Sequence, residues 1–133
     1  MILLSNSTTQ TVQPGEAITF DLETFKSGCC ECHRQGSSAI KLKKCGVYEL
    51  MFTGNVGGAA VGTVQLQMEA GGEVLPETTI IVTEDTVGSL DNVAAHTFFR
   101  NCCGDYDRIT ILNTGTIAAV IDANSAFTAK RLG

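Results

Sequence analysis

The chain is 133 residues long, 44% apolar and 17% charged, with 14 glycines, two prolines and a formal net charge of -5. That balance describes one domain able to bury its own core, and it excludes a disordered chain and a basic surface that would neutralise nucleic-acid phosphates or anionic lipid. No stretch approaches the about 18 apolar residues of a membrane span, and the opening MILLSNSTTQ lacks the basic start and cleavage site of a secretion signal, so the expectation is cytosolic synthesis with neither nucleic acid nor membrane as partner.

Residues 1–16 are rich in Thr, Ser and Gln and close on a Pro14-Gly15 turn. They read as an N-terminal arm, docked on a partner's sheet edge or frayed, ahead of a domain over 17–133. The Asn6-Ser7-Thr8 sequon matters only in a secreted protein. Short strands are expected at 17–21 and 39–42. In 46–52, Tyr48, Leu50 and Phe52 share one face, opposite Val47, Glu49 and Met51. The Gly-rich run from Gly54 to Gly58 resembles a phosphate loop only loosely, since no Lys-Ser/Thr follows and no helix opens; it reads as a loop between strands.

The clearest alternation is 62–69, where Val64, Leu66 and Met68 interleave with Thr63, Gln65, Gln67 and Glu69. Gly71-Gly72 then turns the chain into a second apolar segment with Val74, Leu75, Ile80, Ile81 and Val82, a hairpin with Pro76 at a bulge or edge. Three further strands follow at 93–99, 108–113 and 117–132, the last broken near Asn124-Ser125. About eight short strands with no helical periodicity give an all-β class, a two-sheet antiparallel sandwich. Ile109 and Ile111 with Leu112, Ile117 and Ile121 with Val120, and Phe98 with Phe99 make strands apolar on both faces. Such strands call for a second cover, for which self-association is the simplest source; scattered exposed apolar side chains are the plainer alternative.

Four segments, read in order, resemble the C1q/tumour-necrosis-factor-like jelly roll, closest to its short bacterial and phage versions. They are the strand through Tyr48 and Phe52, the Val64–Gly72 hairpin, Gly104-Asp105 leading to Asn113, and Ala123 to Leu132. The resemblance covers about 39–132 and implies a tight homotrimer with apolar side chains toward the three-fold axis. Tyr48, Leu50, Phe52, Phe98, Phe99, Ile109, Ile111 and Phe127 are the candidates for trimer or core packing. It also implies binding or particle architecture without catalysis: no catalytic residue and no cofactor are expected. With neither a collagen-like stalk nor a secretion signal, the expected role is a virion surface protein, a trimeric capsid decoration or head-fibre component of a tailed phage with the major capsid or fibre protein as partner. A trimeric receptor- or glycan-binding adhesion domain is the alternative.

The six cysteines are the unusual chemical feature. Cys29, Cys30 and Cys32 cluster beside His33, Cys45 stands alone, and Cys102 adjoins Cys103. Cys29, Cys32 and His33 have the spacing of part of a zinc site, but no second C-x-x-C completes it. Alternating loops put Cys45 at the same end of the sandwich as Cys102 and Cys103, where a disulfide would contribute about 4 kcal/mol. All six are disulfide candidates, oxidised after release from the cell or between subunits. A nucleophilic cysteine would need a base and an orienting group, and none is evident around His33. His96 reads as a surface or interface histidine. The carboxylates of Glu84-Asp85 and of Asp105 and Asp107 fall in turns, where Asp is an ordinary turn former as well as a calcium ligand.

Overall fold

The computed structural model describes residues 1–102 and 107–133, and every regular element among them is a strand. In chain order these are β1 (Ile2–Ser5), β2 (Gln10–Val12), β3 (Leu22–Lys26), β4 (Glu31–His33), β5 (Ile40–Leu42), β6 (Gly46–Gly58), β7 (Gly62–Ala70), β8 (Glu73–Glu84), β9 (Asp91–Asn101), β10 (Asp107–Asn113), β11 (Ala119–Ile121) and β12 (Ala126–Arg131). Among the described residues, no helix is long and apolar enough to cross a membrane.

Strand β6 organises the first sheet. One of its edges pairs with β9 from Gly46↔Asn101 to Val56↔Asp91; the other pairs with β12 and then with β11. Beyond these lie β1 on β12, β2 on β11, and β3 on β1. The second sheet runs β4-β5-β10-β7-β8. All pairings are antiparallel, and non-sequential neighbours in both sheets give the crossing connections of a jelly roll.

Alternation along the strands fills the space between the sheets. Tyr48, Leu50 and Phe52 from β6, Val64, Leu66 and Met68 from β7, Ile109 and Ile111 from β10, and Phe127 and Ala129 from β12 are all buried there. The Phe20 and Phe127 rings meet at 5.4 Å. The Tyr48 hydroxyl, at the end of this core, donates to the Lys44 carbonyl at 2.7 Å.

Residues 1–16, set apart above as an arm, are woven into the first sheet. Ile2 and Leu4 are fully buried, and β1 lies between β12 and β3. Their apolar side chains complete the inner face, a gain that outweighs the polar composition around them. Asn6 of the sequon is buried as well. The expected strand at 17–21 is irregular: Ala17 makes an isolated bridge to Leu112, while Phe20 is tied to Ser37 and Gly36 by turn hydrogen bonds.

The run from Gly54 to Gly58, expected as a loop, is the second half of β6. Its glycines answer a packing demand. A Cβ on Gly57 would sit 2.2 Å from the Ser89 carbonyl oxygen, and one on Gly54 would sit 2.9 Å from the Ser125 Cβ. The β7–β8 turn uses Gly71 and Gly72, both at positive φ, as a two-residue hairpin requires. Farther along, the register slips between Leu66 and Met68 opposite Pro76. The Thr78 hydroxyl repairs the ladder there, accepting from the Met68 amide at 2.8 Å and donating to the Leu75 carbonyl at 2.6 Å.

Candidate interaction surface

The outward face of the first sheet carries a register row across five strands. Phe25 lies opposite Leu3, Leu3 opposite Thr128, Thr128 opposite Met51, and Met51 opposite His96. Directly opposed residues share a face, so these side chains form one stripe. Phe25 is 50% exposed and Met51 37% exposed. Phe98, 57% exposed, stands two residues from His96 on the edge strand β9. The His96 ring meets the Phe98 ring edge-on at 5.2 Å, and its Nε2 lies 3.5 Å from Glu49. Leu22, also exposed, extends the apolar area along β3.

The outward face of the second sheet is different in kind. Thr63, Gln65, Gln67, Glu69, Thr79, Thr83 and Thr110 stand on it, with Gln67 Nε2 donating to the Thr79 hydroxyl at 2.7 Å. Among the described residues of β7, β8 and β10 its large exposed apolar side chains are Ile81 and Val74, both on the edge strand β8. The two edges, β8 and β9, are joined across the sandwich by the Thr97 hydroxyl donating to Glu77 at 3.2 Å.

Of the eight packing candidates, Tyr48, Leu50, Phe52, Ile109, Ile111 and Phe127 are buried between the chain's own sheets, and Phe99 packs half-buried against that core. Phe98 alone faces solvent. Leu112 and Val120, the outward partners in the doubly apolar strands, are half-covered within the chain. Alternation finds apolar faces but does not say whether the same chain covers them. Alternation did not point to Phe25, Leu22 or Met51 as surface residues, because β3 carries no alternation and Met51 shares its face of β6 with the charged Glu49.

The cysteines divide among different surroundings. Cys29 and Cys102 are exposed, Cys30 packs against the core, and Cys32 faces outward on β4. These four carry free thiols and no disulfide links two of the described residues, which corrects their candidacy as fasteners. The first cluster is split by its placement: Cys29 and Cys30 lie in the bend before β4, one exposed and the other against the core, while Cys32 lies on the strand itself. Cys45 is disulfide-bonded, and it shares the wall of a cleft of about 440 Å³ with Cys102, Arg100 and Arg131. Cys103 and Asp105 lie outside the described residues.

The zinc reading fails on His33. Its Nδ1 lies 3.0 Å from the Ala39 carbonyl oxygen and its Nε2 2.9 Å from that of Phe20, so both ring nitrogens are engaged by backbone. Among the described residues no group of three or more His, Cys, Asp or Glu side chains could hold a metal ion.

No family model matches the sequence, and no curated protein matches it. Solved structures do. The Eiger tumour necrosis factor of S. frugiperda superposes with a TM-score of 0.79 at 9% identity, over 99% of this chain and 91% of that one. The fold is the C1q/tumour-necrosis-factor jelly roll. The globular domain of zebrafish complement 1qA gives 0.69 at 12% identity, covering 99% of this chain and 96% of that one. The PRD1 vertex protein P5 gives 0.61 at 17% identity, with the same two coverages. Near-complete coverage in each case means that this chain spans the whole jelly roll, β1 and β2 included.

Proposed function

We propose that the protein is a non-enzymatic structural component of a virion, a homotrimer that decorates the head of a tailed phage or forms part of its head fibre. The observation that carries the self-association is the inequality of the two solvent faces. Phe25, Met51 and Phe98 lie on one, while the other is dominated by Thr and Gln. Exposed apolar residues gathered on one face and along an edge strand mark a surface that another protein covers. The jelly-roll likeness makes a three-fold arrangement of identical chains the natural cover, and the likeness to the PRD1 vertex protein P5 favours a place on a particle. A non-catalytic role is supported by His33, whose ring nitrogens are taken up by carbonyls, and by His96, which faces Glu49.

Sedimentation equilibrium tests the assembly: the expected mass is three times the 14.0 kDa chain, and a stable monomer at low concentration rejects it. Removal of the gene tests the role. A decoration protein's loss leaves particles that break more readily on heating, whereas loss of host adsorption with intact particles points instead to adhesion.

A further inference from the structure

We infer that the outer face of the second sheet holds a binding site for an oxyanion carried on an acidic polysaccharide. The inference stands whether the chain acts alone or as a trimer. In a protein of net charge -5, three of the nine Lys and Arg side chains converge on one cleft of about 320 Å³. It is lined by Cys32, Arg34, Ser37, Ser38, Lys41 and Arg108, with Ala39 beside them. None of the described residues lining it is acidic.

The register builds the floor. Cys32 lies opposite Lys41 and Lys41 opposite Arg108, so one residue from each of β4, β5 and β10 stands in a row on the solvent side. Their inward neighbours Ile40, Leu42 and Ile109 are buried, which fixes the direction of the row. Opposed side chains of this kind are about 5 Å apart at Cβ, a spacing at which one anion touches two of them. The wall is the β4–β5 turn. There the Ser37 amide donates to the Arg34 carbonyl at 2.9 Å, and Gly36, at φ 80, donates to the Phe20 carbonyl at 2.9 Å. Arg34 and Ser38 thereby stand beside the row, while the Ser37 hydroxyl lies 3.4 Å from His33 Nδ1. Lys41 has an interaction of its own, so the two arginines carry the argument. Both are exposed, and neither forms a salt bridge with a described residue.

Guanidinium groups bind sulfate, phosphate and carboxylate through paired N–H donors, and hydroxyls supply further donors to the same oxygens. The volume is at the small end of ligand sites and exceeds what a bare ion fills, leaving room for a sugar ring beside its acidic group. The cleft opens on the face opposite the Phe25–Met51–Phe98 surface and remains open when that surface is covered.

Calorimetric titration of the full chain at fixed ionic strength tests the site, with sodium sulfate, sodium phosphate, dextran sulfate and uncharged dextran as probes. Dextran sulfate is expected to bind and dextran not to. The double substitution R34Q/R108Q should weaken dextran sulfate by at least about tenfold while leaving thermal unfolding unchanged, since both arginines are exposed. Alkylation of Cys32 by iodoacetamide should slow in the presence of dextran sulfate, with exposed Cys29 as the internal control. Tighter binding of the polymer than of the free ions supports a polysaccharide. Binding of sulfate or phosphate ions as tight as the polymer's keeps the cleft and overturns its polysaccharide ligand. The inference falls if the wild-type protein binds no anion, if R34Q/R108Q binds as the wild type does, or if Cys32 is not protected.

Discussion

The Asn6 side-chain oxygen, Oδ1, accepts hydrogen bonds from both the amide (3.0 Å) and the hydroxyl of Ser125, a residue 119 positions away in the chain. The other end of the same side chain donates to the carbonyls of Thr8 and Asp122, each at 3.0 Å. A buried amide with every hydrogen bond made locks the turn after β1 to the turn before β12. Asn6→Ala strands these partners together in the interior and is expected to cost about 2–4 kcal/mol. Chemical denaturation of the variant, with its unfolding slope unchanged, measures the loss.

Gly57 gives a second test, because the obstacle to a side chain there is backbone. Gly57→Ala forces the Ser89 carbonyl away from β6 and is expected to destabilise by about 3 kcal/mol or more. Gly36→Ala meets no atom within 4 Å and should cost only about 1 kcal/mol for its positive φ. Melting temperatures of the two variants side by side separate crowding from backbone strain.

The exposed stripe predicts what would break the proposed trimer. Phe98→Glu combined with Met51→Glu puts two carboxylates on the apolar face beside Glu49 and should convert the protein to monomer, with the far-ultraviolet spectrum of an intact sandwich. Light scattering reads the mass. An unchanged assembly would place the interface elsewhere.

Glu84 makes the fold sensitive to pH. Its side chain is 3% exposed, one carboxylate oxygen has no hydrogen-bond partner, and burial together with neighbouring Asp91 and Asp85 holds its pKa above the ordinary carboxyl value. A carboxyl whose folded pKa is raised is favoured in its protonated form. Its contribution is therefore greatest below the unfolded value and is lost as pH rises from about 4.5 through the folded one. Glu84→Gln removes the charge and keeps a donor toward Asp91, so the variant should be more stable than wild type at pH 7 and lose that advantage at pH 4. Urea midpoints of both proteins across this range check the sign.

The long strands were legible because one period governs them. β7 alternates without interruption, Gly71-Gly72 marks its turn, and Tyr48, Leu50 and Phe52 announce the inner face of β6. β1 to β4 were hidden because each is three to five residues long, too short for a period to repeat, with polar turns around them. Gly54 to Gly58 misled for a different reason: glycine is a poor strand former, and the close approach that demands it involves Ser89 and Ser125, which only the fold brings near. The cationic cleft was equally invisible, since Cys32, Lys41 and Arg108 become neighbours through the register of three strands. The core candidates emerged from alternation, but which of them the chain itself covers depended on the strand order.

The pairing of β1 with β12 places a timing constraint on synthesis. Ile2 finds its partner in Ala129, so β1 leaves the ribosome long before the strand it pairs with. At ordinary elongation rates that interval is roughly 6–25 s, during which β1 has β3 on one edge and no partner on the other. The first sheet therefore closes only once β12 has been made, and a nascent chain stalled before that point offers the open edge of β1 to every other copy nearby.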